Sequence, residues 1–161
     1  MTNQDYLNEY FTCVNDLTQL DEIRRLDGFT QHLSTSRLEH CVNVSYFSFL
    51  ICKKLGWDYR SAARAGLLHD FYLYDWRVEK QPEGRHVSAH AKVALRNAHQ
   101  VTELNEIEAD AIVKHMWPMT ISLPRYKESY VVNVVDTFCA AYEVVVQTKR
   151  SVMRFLQPTA V

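Results

Sequence analysis

The sequence predicts an all-α fold, a bundle of six or seven helices, and two observations carry that prediction. Apolar residues recur at three- and four-residue intervals along nearly all of the 161 residues, the period of a helix with one buried face. Only four glycines and four prolines interrupt the pattern, too few for the tight turns of a β-sandwich or barrel. The length supports one substantial core, so residues 1–161 are expected to form a single domain.

A first helix is expected over residues 5–17, packing on the remainder. A long second helix starts near the hydroxyls of Ser34 to Ser36, with Glu39 three residues after Ser36 in a capping arrangement. It runs through "RLEHCVNVSYFSFLICKKL" and stops at Gly56, after Lys53 and Lys54. Asp58 caps the next, "YRSAARAGLLHD". A polar segment with Pro82 and Gly84 follows, and a helix opens near Ser88. Asn105 caps "EIEADAIVKHMW", which Pro118 terminates. The loop "PMTISLPRYKES" leads into a final long helix, "SYVVNVVDTFCAAYEVVVQTKR". Its valines favour strand weakly, but its length and spacing favour helix.

With a net charge of −1, nothing in the bulk electrostatics points to a nucleic-acid polymer or an anionic membrane as partner. Cys13, Cys41, Cys52 and Cys139 are scattered, without metal-finger spacing, and are expected to be reduced. The first residues lack the basic and apolar regions of a signal peptide, and no uncharged apolar stretch reaches membrane-spanning length. A cytoplasmic location is therefore expected. The oligomeric state is left open.

Polar residues stand where core should be. His40 shares a helical face with Val44, Phe47 and Ile51 and is expected to point inward. His69 and Asp70 close the apolar run Ala65-Gly66-Leu67-Leu68. Asp136 lies inside an apolar helix, where an ionised carboxylate is costly unless it meets a cation or a metal. Each has a plainer reading: a satisfied core histidine, a cap, a carboxylate bonded to an arginine or a tyrosine hydroxyl. Together they also form an imidazole and carboxylate set suited to a divalent transition metal.

His40, then His69-Asp70, then Asp136 resembles the H…HD…D signature of the HD-domain metal-dependent phosphohydrolase superfamily, over residues 34–142. The resemblance implies an HD-domain-like bundle and a metal ion held by His40, His69, Asp70 and Asp136. His90 and His115 extend it to the two-metal variety, in which they would hold a second ion with Asp70 bridging both. The divalent ions would be Mn, Fe, Co, Ni, Zn or Mg. Helix capping is the plainer reading of His115, and a solvated helix start that of His90.

The implied activity is hydrolysis of a phosphoester of a nucleotide or small phosphorylated metabolite by a metal-bound hydroxide, with His69 and Asp70 as catalytic residues. Arg77, Lys114, Arg125 and Lys127 are candidate phosphate ligands, with His86 a further one four residues before His90. Trp76, Trp117 and Tyr126 would stack on a base or cover the core; His32 and His99 are expected at the surface. The chain departs from better-known subfamilies at Leu73, where they carry a glutamate or lysine three residues after the aspartate, and Asp75 is the nearest substitute acid. Two other readings remain: a diiron oxygen-activating enzyme on the same scaffold, and a ligand-binding regulatory module without turnover.

Overall fold

The computed structural model describes residues 2–75, 77–79 and 86–156, excepting the side chains of residues 32, 86–88 and 150–156. Among these, seven helices and one small hairpin follow in order: α1 (Asn3–Thr18), α2 (Asp21–Arg24), a 3₁₀ turn (Arg25–Gly28), β1 (Thr30–His32), β2 (Thr35–Ser36), α3 (Arg37–Leu55), α4 (Tyr59–Leu68), α5 (His86–Val101), α6 (Glu106–Lys114) and α7 (Lys127–Leu156). The all-α expectation holds.

Local chemistry sets most boundaries. The Ser36 hydroxyl accepts from the Glu39 amide at the start of α3, and Gly56, with φ 67°, ends that helix in the left-handed conformation glycine adopts most readily. The Asp58 carboxylate accepts from the Ser61 amide, capping α4. Asn105 and Glu108 close a reciprocal capping box on α6. Asn105 also donates to the Ser61 hydroxyl at 2.8 Å, so it ties α6 to α4. Asn105→Ala is therefore expected to lower stability by about 1 kcal/mol, or about 2–4 °C in Tm, in a thermal melt.

Helix α4 is the centre of the bundle: every residue from Ser61 to Asp70 is buried. Its small side chains let neighbours approach closely, and Gly66 lies directly against the α3 backbone at Val44 and Ser45. Arg64, almost fully buried, joins three elements: it donates to Glu108 of α6 at 2.9 Å, to Asp16 of α1 at 2.6 Å and to Thr102 at 3.0 Å. Helix α7 runs antiparallel to α3: Glu128, near its start, accepts from the Asp58 amide, whereas Glu143 meets His40.

Several expectations are corrected. Phe47 and Ile51 do not share the buried face of His40; they are 46% and 40% exposed. The buried arc of α3 centres on Cys41, Ser45, Ser48 and Cys52, about 100° round the helix, and His40 lies at its edge, enclosed because α7 covers it there. Helix α6 stops at Lys114, ahead of Pro118, since Asn133 of α7 donates to the carbonyls of His115 and Trp117 and turns the chain away. Helix α5 begins at His86 and α7 at Lys127, each two residues before the expected start. Lys127–Lys149 does reach the length and hydropathy of a membrane span. It carries two carboxylates, Asp136 and Glu143, that face His40, and on its outer side Val134, Phe138, Tyr142 and Val145 are exposed. The β1–β2 hairpin was not expected: two and three residues without an Asn-Gly turn leave no sequence signal. All four cysteines are buried and free.

Candidate metal centre

Six side chains from five helices or their ends converge in one largely buried cluster. His40 comes from α3, His69 and Asp70 from the end of α4, His90 from α5, His115 from the end of α6 and Asp136 from α7. They fall into two triads, His40–His69–Asp136 and Asp70–His90–His115, in each of which the donor atoms lie within 4.8 Å of one another. In the first, Asp136 Oδ1 is 2.9 Å from His40 Nε2 and 3.5 Å from His69 Nε2. In the second, Asp70 Oδ1 is 3.4 Å from His90 Nε2 and 3.6 Å from His115 Nε2. Asp70 Oδ2 lies 3.7 Å from His69 Nε2, so Asp70 stands between the triads.

Backbone carbonyls one turn back orient two of the rings. His69 Nδ1 donates to Gly66 O and His115 Nδ1 to Ile112 O, each at 2.8 Å, which turns both Nε2 atoms into the pocket. His40 is held differently: both oxygens of the buried Glu143 lie 3.2 Å from its Nδ1. Sequence reasoning missed Glu143, although it follows Asp136 by seven residues on the same helical face, within an apolar run.

The charges are strongly coupled. Burial opposes the charge on Asp70, yet His69, His90 and His115 hold its carboxyl far below the usual range. Burial likewise opposes the Asp136 charge, but its contacts with His40 and His69 outweigh that and hold it well below normal. Burial disfavours protonation of His40, but hydrogen bonds to Asp136 and Glu143 raise it to about 10. Burial and the neighbouring His69 and His90 push His115 down to about 4, so it is neutral and has a lone pair to offer at neutral pH.

Two atoms test whether a metal suits this pocket. His69 Nε2 and Asp70 Oδ1 are buried and have no hydrogen-bond partner, a costly state for a polar atom in an interior. Both point among the other ligands, and donor atoms about 2.1 Å from a shared ion stand about 3–3.4 Å apart, close to the spacings here. The nitrogen and carboxylate donor set suits a first-row divalent ion.

The sequence profile of the HD domain family matches residues 37–141, which contain all six of these side chains. The chain belongs to the HD domain family. HD domains bind divalent metals, and most are metal-dependent hydrolases. Two curated relatives of this HD domain bear the name Ribonuclease Y. That from Clostridium tetani is 39% identical over 72 residues, 45% of this chain and 13% of the relative. That from Oceanobacillus iheyensis is 34% identical over 70 residues, 44% of this chain and 13% of the relative. The matched segment is thus a small part of each relative's own length. No solved structure matches the chain.

Each of the four described cations expected at phosphate makes a protein contact. Lys114 pairs with Asp110, Arg125 extends over the Tyr126 ring, and Lys127 lies 5.0 Å from the Trp57 ring. Arg77 pairs with Asp75 at 2.9 Å and donates to Thr30 O at 3.3 Å, on the hairpin whose Gln31 contacts Asp70. Asp75 is thus committed to Arg77, and Leu73 lines a cleft with Phe71, Val93 and Asn97. Trp117 packs edge-on against Tyr130, Tyr126 donates to Glu106, and His99 is exposed. His86 starts α5, but its side chain lies outside the described residues, as do Trp76 and the side chain of His32.

Glu143→Gln keeps the volume and removes the charge that orients His40. It is expected to weaken divalent-metal affinity by about tenfold, read by titration calorimetry on metal-free protein.

Proposed function

We propose that this HD domain is a metal-dependent phosphoester hydrolase acting on a nucleotide or small phosphorylated metabolite. The reading is carried by the two orphaned buried atoms, His69 Nε2 and Asp70 Oδ1, inside a six-residue ligand set. His40, His69 and Asp136 would hold one divalent ion, and Asp70, His90 and His115 a second, with Asp70 between them. Bound there, divalent ions would screen phosphoryl charge and acidify a water.

The chain's own groups do the rest. Asp136 is the most accessible of the six, with 16% of its side chain exposed against 0–6% for the others, so substrate would approach from its side. Arg77 is a candidate to meet a phosphoryl oxygen, since its guanidinium reaches Thr30 O on the hairpin whose Gln31 contacts Asp70. With Leu73 in the position where better-known relatives carry a general base, Asp70, ionised at neutral pH, would orient a water acidified by the bound ions rather than take up its proton.

A second reading, cleavage of an RNA phosphodiester, rests on the name that both curated relatives carry. One experiment separates the readings. Metal content is measured on protein purified without added metal. A panel of phosphomonoesters, phosphodiesters, nucleoside triphosphates and short RNA is then assayed with Mn²⁺ or Co²⁺. Metal-dependent phosphate release from small substrates supports the first reading, and RNA fragments the second. Oxygen uptake by an iron-loaded sample favours a diiron oxygenase. Metal and ligand binding with no turnover favours a regulatory module. A chain that binds no divalent ion overturns every metal-based reading.

A further inference from the structure

One buried cation near the pocket is not among the ligands. Arg37, fully buried, lies three residues before His40 on α3. Its Nη1 donates to Tyr72 O at 2.6 Å and to Tyr74 O at 3.3 Å. Its guanidinium stacks 3.6 Å from the Tyr72 ring centre and 4.9 Å from that of Phe29. Its Nε donates to Gln31 Oε1 at 2.9 Å.

That contact settles how Gln31 points. A guanidinium has donors only, so the atom facing it must be the amide oxygen, and the Tyr72 hydroxyl donates to the same oxygen at 3.4 Å. The amide nitrogen is thereby aimed the other way, where it donates to Asp70 Oδ2 in a short contact. The two oxygens of Asp70 become unequal. Oδ2 takes the Gln31 N–H, whereas Oδ1 has no hydrogen-bond partner and lies 3.4 and 3.6 Å from His90 and His115.

The strand that carries Gln31 is anchored independently of the pocket. The Ser34 amide donates to Gln147 Oε1 of α7 at 2.6 Å, the Gln147 amide bonds the Thr35 hydroxyl, and the Arg37 amide donates to Phe29 O at 2.7 Å. Arg37 and the hairpin thus form a rigid frame outside the ligand set, with one donor projecting into it.

We propose that Gln31, oriented by Arg37, is a positioning residue that turns the Asp70 carboxylate so that Oδ1 faces His90 and His115, and so sets the affinity of the ion held there. The inference rests on the metal reading of the two triads but concerns residues outside them. Groups that orient a ligand in this way change metal affinity by about 10–100-fold when removed.

The test is titration calorimetry with Mn²⁺ on the metal-free chain, for wild type, Asp70→Asn and Gln31→Met. Two binding steps are expected in the wild type, one of them lost in Asp70→Asn. Gln31→Met, similar in length but without the amide, is expected to weaken that same step by at least about tenfold while the other stays within about twofold. Two unchanged steps overturn the inference and leave the metal reading standing. Equal weakening of both, with a fall in the metal-free Tm, marks a folding role and also overturns it. A wild type that binds no Mn²⁺ removes the metal reading and the inference together. A spectroscopic measurement does not depend on the variant folding: the Gln31 side-chain amide, assigned in the wild type, should include one proton that exchanges slowly with solvent and shifts when Mg²⁺ or Zn²⁺ is added. Fast exchange with no shift overturns the inference.

Discussion

Asp70→Asn is expected to abolish phosphoester hydrolysis, a loss on the order of a thousandfold or more, and to lower the metal content of the purified protein. The side chain it replaces lies between the triads, with Oδ1 toward His90 and His115 and Oδ2 toward His69. Asparagine keeps the volume but removes the negative charge, and its amide N–H₂ would donate to imidazole lone pairs that otherwise face an ion. His115→Ala is expected to affect chiefly the ion that Asp70, His90 and His115 would hold. Metal analysis with parallel kinetics reads both variants, and wild-type turnover in Asp70→Asn would contradict the proposed mechanism outright.

Metal loading of this pocket also has a proton signature. His40 holds its proton up to about 10 because Asp136 and Glu143 flank it. An ion bound through His40 Nε2 must displace that proton, so affinity is expected to rise with pH through the neutral range. Calorimetry in buffers of different ionisation enthalpy measures the protons released.

The largest stability loss is expected from Gly66→Ala. A Cβ at this position would stand 2.7 Å from Ser45 Cα, 2.9 Å from Ser45 N and 3.1 Å from Val44 C. These are backbone atoms of α3, which no rotamer change can move aside, so α3 and α4 must separate. Overpacking of this kind costs about 3 kcal/mol, or about 6–12 °C in Tm for a chain of this size. The damage reaches the pocket, because Gly66 O orients His69 and α3 carries His40. Loss of metal affinity is expected alongside the fall in Tm. A Gly66→Ala protein with unaltered Tm would mean that the two helices do not approach this closely in solution.

Much of the fold was legible because the signals are local. Ser36, Asp58 and Asn105 each cap a helix through an amide three residues ahead, and Gly56 ends one through its own backbone freedom. The six candidate ligands were legible as residue types in an order, helped by the cost of placing Asp136 in an apolar helix. The hairpin was not, since it depends on Gln147 more than a hundred residues away. The face of α3 was misjudged at Phe47 and Ile51 because periodicity finds a buried arc but not how far a neighbouring helix extends along it.

The sequence by itself determined the helices, most of their ends, and the set of imidazoles and carboxylates available to a metal, all of which follow from near-neighbour chemistry. Only the tertiary structure decided which of those candidate ligands stand together, that Glu143 braces His40, and that Gln31, held by Arg37, reaches Asp70. The physical reason is that donor spacing in the pocket depends on how closely whole helices pack. That is settled by Gly66 against Ser45 and by the antiparallel course of α7 along α3, through contacts between residues far apart in the chain.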